Sequence, residues 1–187
     1  MSERPGAWRI SRSDIIIDTP HLRLRRDAIE LPDGSSVEDY YVRESRGFSV
    51  VMAVTPDERA VLVRQYKHGI GETVLELPAG AIDPDESPLD CARRELAEET
   101  GYVGDPPDPQ HLGTFINDPT SSNSRFHLFL VRGARPTVAQ RLDRTEQIEV
   151  QLATFEELRR FVRDGTIAVG SQVASVYYGL DRLGKLT

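Results

Sequence analysis

Short runs of alternating or crowded apolar residues fill most of the chain. Within residues 9–45, Ile15 to Ile17, Leu22 to Leu24 and Val37 to Val42 read as strands, and Asp33-Gly34 between Leu31 and Val37 is a hairpin signal. Two strong apolar strands follow at 49–55 and 60–66, separated by the turn residues Pro56-Asp57-Glu58. Residues 73–77 form another strand that ends at Pro78-Ala79-Gly80. Further strands are expected at 111–116, 126–132 and about 147–153. The pattern predicts three helices. The first spans roughly 88–100, with Ser87 as N-cap, Pro88 in the first turn and Gly101 as the stop. The others run over 155–163 and about 170–183. Residues 105–109 read as a Pro-rich loop, and 117–124 and 133–146 as polar loops. Strands outnumber helices, and the helices fall at the middle and end, which gives an α+β pattern.

The chain has 187 residues, 39% hydrophobic and 28% charged. That suits one principal domain with a core of its own. No apolar run approaches the roughly 18 residues of a membrane helix. The first residues lack the apolar segment of a secretory signal. One cysteine, Cys91, excludes an internal disulfide and a multi-cysteine zinc site, and fits a reducing, cytoplasmic setting. The count of 23 Lys and Arg against 30 Asp and Glu gives a net charge of −7. An acidic balance argues against nucleic-acid binding. It leaves small phosphorylated substrates open, because a metal ion or a local basic pair can hold an anion on an acidic protein.

The informative stretch is Gly80 to Tyr102. On a helical wheel Glu95, Glu98 and Glu99 fall on one arc about 100° wide. Leu89, Ala92 and Leu96 form the neighbouring apolar stripe that faces a core. Like charges three and four residues apart each cost a helix a few tenths of a kcal/mol. A solvated acidic face is one reading of this spacing. The other is a hard divalent cation, Mg²⁺ or Mn²⁺, which favours oxygen ligands and relieves the repulsion.

Gly80, then five residues, Glu86, then seven, then Arg94-Glu95-Leu96-Ala97-Glu98-Glu99-Thr100-Gly101-Tyr102 resembles the Nudix box, GX5EX7REUXEEXGU, where U is a bulky aliphatic residue. Tyr102 at the last U is the one departure. The flanks Val63-Arg64-Gln65-Tyr66-Lys67 and Glu76-Leu77-Pro78-Ala79-Gly80 resemble the ADP-ribose pyrophosphatase branch, as does the strand-rich N-terminal segment ending in Tyr40-Tyr41-Val42-Arg43. The similarity covers most of residues 20–180.

The resemblance implies the Nudix fold, an α/β/α sandwich with a mixed sheet, over 46–187. It implies an N-terminal dimerising strand segment over 1–45. It also implies Mg²⁺-dependent hydrolysis of the diphosphate bond of a nucleoside diphosphate linked to a sugar. Glu95 and Glu99 match metal ligands, Glu98 a ligand or water-mediated one with a catalytic role, and the Ala79 carbonyl a further ligand. Glu76 matches a position near substrate and metal. Arg94 and Glu86 match a bracing ion pair. Glu146, in a loop running into the strand at 147–153, matches the general base, with Glu149 second; a plain surface acid is the alternative reading of Glu146. Arg43, Arg64 and Lys67 match substrate-contacting positions, and Lys67 stands where arginine is usual, keeping the charge without the fork. Trp8, Tyr40, Tyr41 and Phe48 are candidates for stacking on a base, with packing preferred for most. His127 reads as structural and Cys91 as packed.

One departure concerns the substrate. In the loop Asp118 to Arg125, Ser124 occupies a position where this branch often carries an acid. ADP-ribose, giving AMP and ribose 5-phosphate, is the first expectation, with ADP-glucose and GDP-mannose close behind. A ligand-binding Nudix module and a hydrolase of oxidised nucleoside triphosphates are the rivals. The retained box glutamates oppose the first, and the N-terminal strands oppose the second. A homodimer is expected, with Arg43 serving sites across the two-fold axis.

Overall fold

A computed structural model of the chain describes residues 6–105 and 109–187. Most of the Pro-rich loop expected at 105–109 falls at 106–108, outside the described residues. The chain divides into two compact units, one of the described residues up to Arg46 with Ile116–Arg125, the other Gly47–Phe115 with Phe126–Thr187.

The N-terminal unit is an antiparallel meander of β1 (Arg9–Asp18), β2 (Arg23–Glu30) and β3 (Ser36–Glu44). The expected hairpin turn forms at Asp33-Gly34. Gly34 takes φ +84°, and its N–H donates to the Leu31 carbonyl at 3.0 Å. The strands are longer than expected, β1 mainly at its start and β2 and β3 at their ends, while β2 begins one residue after Leu22; charged residues make up much of the added length. Arg23 and Arg25 both reach Glu44, at 2.7 and 2.8 Å. Buried Asp27 accepts from Ser13 Oγ at 2.6 Å and Arg25 Nε at 2.9 Å. The loop 117–124 is strapped to the end of β3. Arg43 N–H donates to the Ser121 carbonyl at 2.8 Å, and Ser122 Oγ to the Arg43 carbonyl at 2.9 Å.

The larger unit carries a mixed sheet in the order β7 (Ala79–Ala81), β4 (Phe48–Ala53), β10 (Arg125–Val131), β9 (Gln110–Ile116). In it β4 and β10 run parallel and β4 and β7 antiparallel. A second, antiparallel sheet is ordered β12 (Ile148–Thr154), β5 (Arg59–Lys67), β6 (Glu72–Glu76). Side chains on strands alternate between faces, and here both faces are buried. Val50, Met52, Leu62, Leu128 and Leu130 join one cluster, which is closed by Phe155 and Leu158 of α2 (Phe155–Arg163) and Val176 and Leu180 of α3 (Gly170–Leu183). Val51, Ala53, Val61, Phe129 and Val131 join the other, closed by Ala92 and Leu96 of α1 (Pro88–Thr100). Each fully buried aliphatic side chain contributes roughly 1.5–3 kcal/mol. The result is the expected α/β/α sandwich, with one difference: its middle layer is built from two sheets rather than one.

The helix boundaries match the sequence expectation, and for α1 and α2 side-chain caps set the start. Ser87 accepts the Asp90 N–H at 3.1 Å, and Thr154 and Glu157 form a reciprocal capping box. Three short strands escape the sequence pattern: β7, and the ribbon of β8 (Tyr102–Val103) with β11 (Arg135–Pro136).

That ribbon amends the reading of 133–146 as loop at Arg135–Pro136 alone. The segment is a strap across the C-terminus of α1, where helix carbonyls lack intrahelical donors. Glu98 C=O accepts from Arg141 N–H at 2.9 Å and Glu99 C=O from Gln140 Nε2 at 2.6 Å. Gly101 C=O accepts from the N–H groups of Thr137 and Val138, at 2.9 and 3.1 Å. Gly101 has φ +74°, and a Cβ there would lie 2.5 Å from the Val138 carbonyl oxygen. Gly165 has φ +79° and open space around it. Gly165→Ala should therefore cost only the left-handed backbone penalty of about 1–2 kcal/mol. Gly101→Ala should cost at least about 1 kcal/mol more, because the strap must shift. Denaturant midpoints at unchanged slope measure both, and equal losses would refute a tight strap.

Candidate active site

The site grows from one close approach. The α1 helix presses its acidic face on β7, the strand at the box glycine. A Cβ on Gly80 would stand 1.9 Å from Glu95 Oε1, so only glycine leaves room for that carboxylate. One residue earlier, Ala79 N–H donates to Glu99 Oε2 at 2.9 Å. Glu95 is 8% exposed and Glu99 2%. The acids thus lie in the wall of the groove rather than along its rim. Buttressing comes from Gln172 of α3. Its side chain, 2% exposed, accepts the Leu77 N–H at 3.0 Å and donates to the Leu77 C=O at 3.4 Å, fixing the backbone between Glu76 and Ala79.

Arg94 braces the approach as expected. It clasps Glu86 with two bonds, Nε to Oε1 at 2.7 Å and Nη2 to Oε2 at 2.8 Å. Its Nη2 also reaches the Ala81 carbonyl at 3.0 Å, and Nη1 reaches Glu95 at 2.7 Å and Glu98 at 3.3 Å. Arg141 of the strap pairs with the other Glu98 oxygen.

Environment separates the three box carboxylates. Burial pushes Glu99 up to about 8, helped by the charge of Glu95 and opposed by the Ala79 N–H. Burial also raises Glu95, with Arg94 opposing. Burial acts upward on Glu98 too, but hydrogen bonds from Arg141 and Arg94 outweigh it and hold the group below the ordinary glutamate range.

Glu95, Glu98 and Glu146 meet at one cavity of about 310 Å³, with Arg94, Arg141 and Asp143 in its wall. Glu146 accepts the Asp143 N–H at 2.9 Å, which fixes the turn that presents it. Glu149 lies elsewhere, exposed on β12 opposite Arg64 of β5. Arg64 donates to Gln151 at 3.3 Å. Lys67 is paired with buried Glu76 at 3.1 Å, and Gln65 Nε2 reaches the same carboxylate at 3.4 Å. Arg43 belongs to the N-terminal unit. Among the aromatic candidates, Trp8 packs edge-on against Tyr40, and Phe48 stacks on Phe126. His127 Nδ1 meets Thr114 Oγ1 at 2.9 Å, as a structural histidine would, and Cys91 is buried. The sequence reading did not single out Gln140, Arg141 or Gln172, because none lies in a periodic or spaced pattern.

The NUDIX domain matches residues 44–169, and a nucleoside diphosphate sugar hydrolase N-terminal domain matches residues 8–42. The chain belongs to the Nudix family. It is 30% identical over 158 residues to a methanol dehydrogenase activator of Bacillus methanolicus, covering 84% of each chain. It is 28% identical over 151 residues to an ADP-ribose pyrophosphatase of Bacillus subtilis (strain 168), covering 80% of each. It is 32% identical over 180 residues to a GDP-mannose pyrophosphatase of Klebsiella pneumoniae, covering 88% of each. The crystal structure of an ADP compounds hydrolase shares the fold, with a TM-score of 0.82 at 20% identity over 98% of this chain and all of that one.

Nudix hydrolases use divalent metals, and the donor set here fits one. Glu95 and Glu99 are buried carboxylates, the first paired with Arg94 and the second holding a backbone N–H, and Glu95 sits where a Cβ at position 80 would stand. All the candidate donors are hard oxygens. Among the described residues no three such side chains converge on a common point, because Glu95 and Glu98 turn to arginine.

The raised Glu99 gives a pH signature to the metal-free protein. A free glutamate titrates near 4.3. Between that value and about 8 the folded state binds the proton and the unfolded state does not. Glu99's contribution is therefore whole below about pH 4 and is lost as pH rises toward 8. In EDTA, the parent should lose stability relative to Glu99→Gln from pH 5 to 8, at about 1.4 kcal/mol per pH unit at the steepest. Parallel stability curves would overturn this assignment.

Proposed function

We propose that this protein hydrolyses the diphosphate bond of a nucleoside diphosphate linked to a sugar, with ADP-ribose first, giving AMP and ribose 5-phosphate. The observation that carries the reading is the pair of buried carboxylates, Glu95 and Glu99, set against the backbone of residues 79–80, with Glu95 opening into a polar cavity that also holds Glu98 and Glu146. The relatives named as ADP-ribose and GDP-mannose pyrophosphatases support the same class.

Glu95, Glu99, Glu98 and the Ala79 carbonyl would hold Mg²⁺, with Mn²⁺ as a substitute. Such a cation supplies charge neutralisation for the diphosphate and a lowered pKa for water. Glu146 is the group that takes the proton of the attacking water. Its lodging on the strap, outside the helix that carries the other acids, leaves it to act as a base. Lys67 and Glu76 form a buried-edge ion pair beside the site that orients the substrate, and Arg43 and Arg64 add positive charge for its phosphates. The single buried cysteine is in keeping with a cytoplasmic setting.

A second substrate, GDP-mannose or ADP-glucose, is favoured by one feature. Ser124 stands where this branch often carries an acid, and it is buried, so no carboxylate is offered from that position.

A product-release panel of ADP-ribose, ADP-glucose, GDP-mannose, NADH and 8-oxo-dGTP, with Mg²⁺ and with EDTA, tests the class. Mg²⁺-dependent turnover of ADP-ribose is expected. Glu99→Gln should lower it by more than about 100-fold, beyond the 10–100-fold cost of losing a partner outside the metal's own ligands. Glu146→Gln should lower kcat by about 10²–10⁴ with little change in KM. Turnover of another substrate alone would discard ADP-ribose and keep the chemistry. No turnover at all would point to a ligand-binding module.

We also propose a homodimer formed through residues 1–45. Edge strand β1 exposes Ile10, Ile15, Ile16 and Ile17, and Trp8 and Tyr41 of the same unit are 52% and 46% exposed. Apolar surface of this extent marks an interface. Light scattering at micromolar concentration should give twice the chain mass. A monomer there would end the proposal.

A further inference from the structure

Two arginines neutralise Glu98, and they are held very differently. Arg94 is pinned by Glu86, the Ala81 carbonyl and Glu95 as well as Glu98, and its side chain is 27% exposed. Arg141 pairs its guanidinium with Glu98, and its side chain is 81% exposed. Its backbone is nevertheless fixed, because its N–H donates to the Glu98 carbonyl at 2.9 Å. The guanidinium is therefore tethered at the cavity mouth but free to leave one carboxylate for another anion. An exposed ion pair of this kind is weak, so a divalent cation displaces it readily. A planar fork is also well matched to diphosphate oxygens.

We infer that Arg141 is an exchangeable counter-ion: it holds the Glu98 carboxylate in the metal-free enzyme, yields it to the entering cation, and passes its guanidinium to the substrate diphosphate. This rests on the reading of Glu98 as a metal-binding residue. The exchange keeps the buried acidic cluster compensated before loading. It also delivers a positive fork to the cavity at the moment the substrate's own negative charge arrives.

The test is Mn²⁺ binding without substrate, read by electron paramagnetic resonance, on the parent, Glu98→Gln, Arg141→Gln and Arg144→Gln. Arg144 is exposed on the same strap and controls for simple loss of charge. Arg141→Gln should bind Mn²⁺ about two- to fivefold more tightly, the range for loss of an exposed ion pair, while Arg144→Gln stays near the parent and Glu98→Gln weakens. The KM of Arg141→Gln for ADP-ribose should rise about tenfold or more, the loss of a charged hydrogen bond. If Glu98→Gln weakens Mn²⁺ binding but Arg141→Gln leaves it unchanged or weaker, the counter-ion role is overturned and the metal site stands. A tighter Mn²⁺ affinity with unaltered KM overturns the transfer to substrate. If Glu98→Gln binds like the parent, the reading of Glu98 as a metal-binding residue fails, and the exchange with it.

Discussion

The whole site depends on pressing an acidic helix face against strand backbone. Removing a carboxylate from water costs several kcal/mol even after relaxation, and α1 does this twice, at Glu95 and Glu99. Ala92 and Leu96 on the adjoining stripe supply the compensating apolar burial and set the depth of the approach. The glycine at position 80 sets its lateral limit, because the Glu95 carboxylate occupies the space a side chain would need. Fold and chemistry are thus inseparable here. The same contact that seats the helix gathers buried hard-oxygen donors that Arg94 and the Ala79 N–H compensate only in part.

The protein limits that charge with groups of unequal mobility. Glu86 takes most of Arg94's hydrogen bonds, and it is itself fixed by the Asp83 N–H at 3.0 Å. Arg94 can therefore lean on Glu95 and Glu98 without being able to leave. Glu99 receives only a backbone N–H, at 2.9 Å, and carries the most strongly raised pKa of the three. Glu98, nearer solvent, receives the one guanidinium that is largely exposed. A gradient from a fixed deep acid to a labile outer one would suit the binding and release of a cation proposed for this site.

Much of this was legible in the sequence, for identifiable reasons. All three helices were bounded as expected; for α1 and the start of α2 the reason is that Ser87, Gly101 and Thr154 mark the ends through local backbone bonding, which short sequence windows capture, whereas α3 starts at Val169 with no side-chain cap. The core-facing strands announced themselves because both their faces are buried and their residues are almost uniformly apolar. The wheel placed Glu95, Glu98 and Glu99 on one arc, and the cavity holds two of them together with Glu146. What stayed hidden was long-range. A three-residue β7 and a two-stranded ribbon carry no periodicity. Gln172 acts across 95 residues on Leu77, and Arg141 across 43 residues on Glu98. Nothing in a polar segment distinguishes a residue that caps a distant helix from one that faces solvent.

The same division explains why the chemistry is easier to read than the substrate. In the proposed function the box acids serve the cation and the diphosphate that every nucleotide sugar shares, and their geometry is set by backbone contacts within one helix and one strand. Arg43 has its backbone fixed by Ser121 and Ser122, so any change in the loop 117–124 moves a basic residue without touching the box. The relatives behave accordingly: at 28–32% identity and similar coverage they carry different names, a dehydrogenase activator among them. The box can be held while the loop 117–124 varies, because Ala79, Gly80 and Gly101 tie the acidic helix to the core, whereas that loop is bonded to the end of β3 in the other unit.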